Sequence, residues 1–426
     1  MSDSPPLRLL QRARRCSVLL LFVVFSDSLW AFDGLNLRER LSQELLYWEE
    51  QANPSMSSFS EGELMAPALV LADLTAGTLL YAQGLSLEMP PASLAKVMTL
   101  HLSLKDQNTG HLPDERMPLK IPQGGQAEAM RPFSSLFGLD ESHRLTLRTL
   151  RRAAAQISAN DAAWTLALLS DPLEKGRGFV ERMNQEAQRL GMDQTTYVDP
   201  DGWSELSTTT IADQLLLAVT YLEEHPGVLS AYHAQPQLQQ LDGEEGLLPN
   251  KGNTNLLLGR VSGVDGIKTG TIPEAGFHFM ATSRRDDRRL VAIVMGLRGT
   301  TFSEGIQKRA LEAEMLLEWG FSQTQLIKPE APSLPSLVLR HGKNKSLALR
   351  LATEIPVLVR PVSSEKLTFK LQLPEEWEAP VAEGDVLGQA RWFDGSEQVL
   401  QIPIVAHQDG PRRWRLWDAL SQNPAS

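Results

Sequence analysis

The stretch Pro90-Pro-Ala-Ser-Leu-Ala-Lys-Val-Met-Thr99 decides how this 426-residue chain reads. A double proline stops extended chain, and an amphipathic pattern begins at once. It predicts a helix over residues 93–104, with Leu94, Val97, Met98 and Leu100 apolar. On a helix, residues i and i+3 share a face, so Lys96 can reach the hydroxyl of Ser93. A serine is a poor nucleophile until a base takes its proton. A lysine can be that base only when burial or a second cation lowers its pKa. The competing reading is structural, with Ser93 as a helix N-cap and Lys96 as a solvated first-turn residue.

Two further short elements follow in order. Ser158-Ala-Asn160 lies 65 residues after Ser93, and Lys268-Thr-Gly270 lies 110 residues after Ser158. Ser158 could relay a proton to a leaving amine. Asn160 could hold Lys96 and bind a substrate carbonyl. Lys268 could supply the second cation, and Thr269 a hydroxyl for a carboxylate. Gly270 allows close backbone approach, and backbone N–H groups would hold an oxyanion. Lys268-Thr-Gly270 reads as the start of a strand. Each element alone is weak, because Ser363-Ser-Glu-Lys366 and Ser421-Gln-Asn423 match the same short patterns. Context separates them. Ser93 follows the double proline and opens a helix, Ser363 sits between predicted strands, and Ser421 sits near the end.

Around these elements the chain reads as α+β. A helical stretch spans residues 37–50. Residues 68–75 and 78–81 form a hairpin about Ala76-Gly77. Residues 145–320 are mostly helical, with Gly191 stopping one helix. Strands follow at 277–283 and 290–296, and a last helix at 304–319 is expected to end at Gly320. Lys328-Pro-Glu-Ala-Pro-Ser-Leu-Pro335 has linker composition. Beyond it the apolar period becomes two, at Leu347, Leu349 and Leu351 and again at Leu367, Phe369, Leu371 and Leu373. Asp394-Gly395 marks a hairpin turn. Residues 336–408 therefore read as a small all-β domain, after a catalytic region at 32–327 and a linker at 328–335.

The net charge of −11, without a basic cluster, argues against a nucleic-acid surface. The eight histidines form no H-E-x-x-H pair or close ligand cluster along the sequence. No metal or cofactor is expected. The single cysteine, Cys16, lies among arginines and a ten-residue apolar run. That run is too short to span a bilayer, which needs about 20 residues. Residues 1–31 read as an export signal cleaved near Ala31, with a retained tilted anchor as the competing reading. Residues 409–426 hold Trp414, Trp417 and Leu420 at helical spacing, with arginines interleaved. They read as a short amphipathic tail for a membrane surface, or else as a docking tail.

Taken together, the sequence resembles the serine D-alanyl-D-alanine carboxypeptidases, the low-molecular-mass penicillin-binding proteins of the type-5 group. Residues 91–99, Ser134-Ser-Leu136, Ser158-Ala-Asn-Asp-Ala162, Phe179-Val-Glu-Arg-Met-Asn184, Val264-Asp-Gly-Ile-Lys-Thr-Gly270, Leu316-Leu-Glu-Trp-Gly-Phe321 and Val386-Leu-Gly388 carry the likeness. The resemblance implies a serine β-lactamase/transpeptidase-like catalytic domain, an antiparallel sheet plus a helical subdomain, followed by the small all-β domain. It implies Ser93 as the acylated nucleophile and Lys96 as its base, with Ser158, Asn160 and Lys268 completing the set. Thr269, Gly270, Thr271 and Arg309 would bind substrate. The backbone N–H groups of Ser93 and Thr271 would form the oxyanion hole. The implied substrates are peptidoglycan stem peptides, with β-lactams as covalent inhibitors, in a periplasmic enzyme of cell-wall and cell-shape metabolism on the outer face of the inner membrane. Two positions depart from the family pattern. Ile272 stands where a threonine is usual, and Trp203 where a leucine is usual. The rival readings are a serine β-lactamase, a murein endopeptidase and a catalytically silent wall-binding scaffold. Glu181-Arg-Met-Asn184 is one residue short of the spacing a class A β-lactamase needs.

Overall fold

A computed structural model describes residues 36–50, 64–173, 176–239, 241, 243–246, 250–364 and 366–413. The expected export signal with Cys16, Trp414 and the rest of the tail beyond 413, and Ser421 lie outside the described residues.

The chain enters the described structure at helix α1 (Leu37–Glu50). Asn36 and Glu39 each accept the other's backbone N–H, a reciprocal cap at its start. Leu41 and Leu45 are buried. Strands β1 (Ala68–Asp73) and β2 (Thr78–Gln83) form the expected hairpin, with Gly77 at positive φ. The helical part contains α2 (Ala95–Asn108), α3 (Gly125–Ala129), α4 (Leu147–Gln156), α5 (Asn160–Ser170), α6 (Arg177–Arg189) and α7 (Ile211–Glu224). Strands β3 (Val264–Ile272), β4 (Gly276–Arg285) and β5 (Arg288–Leu297) then join the hairpin. The antiparallel sheet has the order β2-β1-β5-β4-β3, which leaves β3 at an edge. Helix α8 (Phe302–Gln323) closes this part.

Both faces of the sheet are covered, so β1 and β5 read as nearly continuous apolar runs instead of alternating. Val70, Ile293 and Met295 face the helical part, whereas Leu69, Leu71, Ala292 and Val294 face α8. Three expectations shift in detail. The helix after the double proline starts at Ala95, behind a single tight turn over Ala92–Leu94 that holds Ser93. Lys268 lies within β3, which already begins at Val264. Gly320 does not stop the last helix, which continues to Gln323. A Cβ on Gly320 would lie 2.7 Å from Leu290 and 3.0 Å from Leu71. The glycine is therefore a close-approach residue between helix and sheet.

Strand β6 (Thr324–Ile327) follows α8 directly and pairs antiparallel with Leu358–Pro361. The C-terminal region is all-β. Its four-stranded sheet contains Leu349–Leu351, Thr368–Gln372, Val386–Asp394 and Glu397–Ala406. Gly395 takes positive φ in the turn that Asp394-Gly395 predicts. Trp392, Leu400, Ile402 and Ile404 form its core, and Leu367, Leu371 and Leu373 pack against it. Phe369 remains exposed.

Candidate active site

Ser93 projects from the turn between the double proline and α2. Its side chain caps no helix N–H; instead Lys96 Nζ lies 2.8 Å from Ser93 Oγ. The i, i+3 spacing thus delivers the contact that it predicts. Lys96 is fully buried. Its Nζ also donates to Asn160 Oδ1 and to the carbonyl of Asp201, each at 2.6 Å. An ammonium has three donors and no acceptor, so the three partners saturate it. Once neutral, the amine keeps two N–H donors for Asn160 and Asp201. Its lone pair is then left for the Ser93 hydroxyl.

Asn160 opens α5 with its amide orientation fixed from outside. Its Nδ2 donates to Ser134 Oγ at 2.6 Å, and its backbone N–H donates to the carbonyl of Ser135 at 2.7 Å. The neighbouring Asp161 accepts the N–H groups of Phe137, Gly138 and Leu139. Ser158, at φ 59, lines the cleft beside Ser93.

Lys268 is buried on β3 and donates to the carbonyl of Thr269 at 2.7 Å. Thr269 Oγ1 bonds Thr254 Oγ1 at 2.7 Å. A Cβ on Gly270 would lie 3.2 Å from both Ala92 Cβ and the backbone nitrogen of Ser93. A side chain there would push the strand off the nucleophile turn. Ile272 packs with Ala92 and Ala275 beneath that turn. Arg309 is buried, not a surface helix residue. Its Nη1 donates to the Gly270 carbonyl at 2.8 Å and to Thr271 Oγ1 at 2.7 Å. Thr271 Oγ1 in turn donates to the Gly270 carbonyl at 2.7 Å. Ser93, Ser158, Asn160, Thr269, Gly270, Thr271 and Arg309 line one cleft of about 1080 Å³.

Burial lowers the Lys96 ammonium from 10.5 to about 8. The carboxylates of Asp201 and Asp199 oppose that shift, and Arg131 adds to it. Burial also holds Lys268 well below the usual lysine range, and the charge of Lys96 pushes the same way. Two contributors escape sequence reasoning. Asp201 is wholly buried; its carboxylate pairs with Arg131, and its carbonyl holds Lys96. Burial raises its carboxyl above the usual range, while Lys96 and Arg131 work against that rise. The sequence signal was the turn Asp199-Pro-Asp-Gly-Trp203, in which the Asp199 carboxylate accepts the N–H groups of Gly202 and Ser204.

The histidines are less scattered than their spacing suggests. His101 Nδ1 lies 2.9 Å from His225 Nε2, and His101 Nε2 lies 2.7 Å from Glu186. Glu224 approaches the same pair. Both ring nitrogens of His101 are engaged, and Lys105 and Arg189 bring cations onto Glu186. The group therefore fits a hydrogen-bonded network better than a cation site. The other short-pattern match, Ser363 with Lys366, lies on exposed turns of the C-terminal region, where Lys366 pairs with Glu330.

A two-sided sheet, a helical lobe and a serine–lysine pair under an edge strand define the penicillin-binding-protein class of fold. Penicillin-binding protein 5 from Haemophilus influenzae superposes with a TM-score of 0.66 at 23% identity, covering 83% of this chain and 100% of that one. The ampicillin-bound penicillin-binding protein D2 from Listeria monocytogenes gives a TM-score of 0.52 at 32% identity, over 61% of this chain and 98% of that one. The D-alanyl-D-alanine carboxypeptidase DacD of Escherichia coli is 27% identical over 353 residues, 80% of this chain and 86% of the relative. The family model for D-alanyl-D-alanine carboxypeptidases matches residues 54–299, and that for the C-terminal domain of penicillin-binding protein 5 matches 321–412. The chain belongs to the D-alanyl-D-alanine carboxypeptidase family, and it is a serine-type carboxypeptidase.

Proposed function

We propose that this carboxypeptidase removes the terminal D-alanine of peptidoglycan stem peptides through an acyl-enzyme on Ser93. The observation that carries the reading is the buried Lys96 amine 2.8 Å from the Ser93 hydroxyl. Neutral Lys96 takes the Ser93 proton as Oγ attacks the carbonyl carbon between the two D-alanines. The backbone N–H groups of Ser93 and Thr271 receive the oxyanion. The C–N bond then breaks, and the departing amine receives a proton by way of Ser158. Water next hydrolyses the ester, returning Ser93 and freeing the shortened peptide. Asn160 holds Lys96 and the acyl carbonyl. Lys268 donates to the Thr269 carbonyl and so steadies β3 beside the nucleophile, and Thr269, Thr271 and Arg309 receive the terminal carboxylate. As the edge strand, β3 offers unpaired backbone groups for an extended peptide.

β-Lactams would acylate the same serine, in keeping with the ampicillin bound to the Listeria relative. A β-lactamase reading finds less support. Asn184 is engaged by the backbone of Tyr197 at 2.7 and 2.9 Å, on a helix rather than over the nucleophile. The basic and apolar run before Ala31 supports export to the periplasm, and the Trp/Arg-rich tail supports peripheral attachment to the membrane. Among the described residues no helix is long and apolar enough to cross a membrane. The domain limits that go with this reading are 32–327, 328–335 and 336–408.

The test is incubation of the purified protein with a labelled penicillin and with a D-Ala-D-Ala pentapeptide, beside Ser93→Ala. A lasting adduct on Ser93 with D-alanine release, both lost in Ser93→Ala, is the expected result. Rapid penicillin turnover would favour the β-lactamase, and absence of any adduct on folded protein would overturn the serine mechanism.

A further inference from the structure

One wall of the cleft has features that neither folding nor the chemistry of Ser93 requires. Phe133 is 97% exposed and is held at φ 60. A bulky residue in the left-handed region is disfavoured, and an aromatic ring fully in water gains nothing from the core. An outlier of this kind points toward a ligand. Trp203 lines the same wall, with its ring face 4.6 Å from the Arg131 guanidinium and its Nε1 donating to the carbonyl of Pro132 at 3.1 Å. Leu206, also on the wall, is 73% exposed. Arg131 is itself committed to Asp201 and Asp199. Across residues 132–135 and 202–206, the one charged residue lining the cleft is Glu205. This wall therefore offers apolar area, repels a carboxylate and has no free cation to pair with one.

We infer that Phe133, Trp203 and Leu206 select the acyl-donor peptide by the side chain that precedes its two D-alanines, favouring an apolar or acylated side chain over one that ends in a carboxylate. The inference rests on the proposed reading, in which Thr269 and Arg309 take the terminal carboxylate on the β3–α8 side and leave the rest of the donor to the facing wall. An apolar end laid over Phe133 and Trp203 covers both rings. A distal carboxylate there meets Glu205 and loses water without gaining a partner.

The test compares two donors, diacetyl-L-lysyl-D-Ala-D-Ala and the same peptide with the side-chain amine succinylated instead of acetylated, so that the side chain ends in a carboxylate. Each is assayed with the wild type, Phe133→Gly and Trp203→Ala, and penicillin acylation is recorded for all three proteins. The wild type is expected to favour the diacetyl donor in kcat/KM by about tenfold, the scale of a lost apolar pocket contact. Both variants should lose that preference, mainly through KM, while still forming the penicillin adduct. Glycine suits φ 60, so Phe133→Gly should melt no lower than the wild type. Equal rates on the two donors in the wild type, or a preference that both variants keep, overturns the inference. A markedly lower Tm in Phe133→Gly does so too, because the ring would then be structural. Failure of the underlying reading shows differently, as a wild type that forms no adduct on Ser93.

Discussion

At Lys96, saturation by three acceptors and burial act on the same atom. The acceptors hold the protonated amine in place, and burial makes the proton easier to lose. With the ammonium lowered to about 8, the neutral base is scarce below that pH and dominant above it. The rate of penicillin acylation should therefore climb about tenfold per pH unit below 8 and level off above it. Stopped-flow acylation across pH 6–10 measures this, and a flat profile would remove Lys96 as the base. Lys96→Arg keeps the charge but cannot yield a proton, so it should fold and fail to acylate. This much of the site was legible in the sequence, because a three-residue helical spacing is a local property. Arg131 with Asp201 and His101 with His225 were not legible. Those partners meet only after the helical lobe has packed, and nothing in the intervening chain marks them as neighbours.

Among the elements, the sheet and α8 are tied by a buried pair. Arg288 on β5 donates to the Asp73 carboxylate on β1 at 2.6 Å, to the Gly320 carbonyl of α8 at 3.3 Å and to the Thr324 carbonyl just beyond it at 2.8 Å. Removing one partner of a buried ion pair leaves the other charge stranded, at a cost of about 3–5 kcal/mol. Arg288→Met should lower stability by that amount in urea denaturation, and Asp73→Asn added to it, which removes the charge but keeps an oxygen for the N–H groups of Thr75 and Ala76, should recover part of the loss. If the single variant loses less than about 1 kcal/mol, the pair is solvated and the interpretation fails. Element type was readable where periodicity is strong, as in α1, the β1–β2 hairpin and β4–β5. Gly320 misled because a glycine late in a helical pattern looks the same whether it ends the helix or lets a strand press against it. Lys268-Thr-Gly270 looked like a strand start because the preceding residues, among them Asp265 and Gly266, carry little apolar signal.

For the whole molecule, the C-terminal region is held to the catalytic part at more than the linker. Strand β6 pairs with Leu358–Pro361, and Val359 packs into the core shared by the sheet and α8. Val359→Ser should loosen this seat without touching the cleft. Small-angle scattering should then show a larger radius of gyration, while penicillin still labels Ser93. An unchanged scattering curve would mean that Val359 does not hold the two parts together. The all-β character of this region could be read from its period-two pattern, yet the pairing across the linker could not. Strand partners are chosen by tertiary packing, and β6 is short.

That pairing also limits how the molecule can move. A body hung on one strand of proline-rich chain swivels about every axis, like a weight on a cord. Here the chain crosses at the linker and is gripped again where Leu358–Pro361 lies on β6. Two separate attachments remove free rotation and leave a hinge. The mouth of the cleft is thereby kept at a nearly constant facing relative to the C-terminal region.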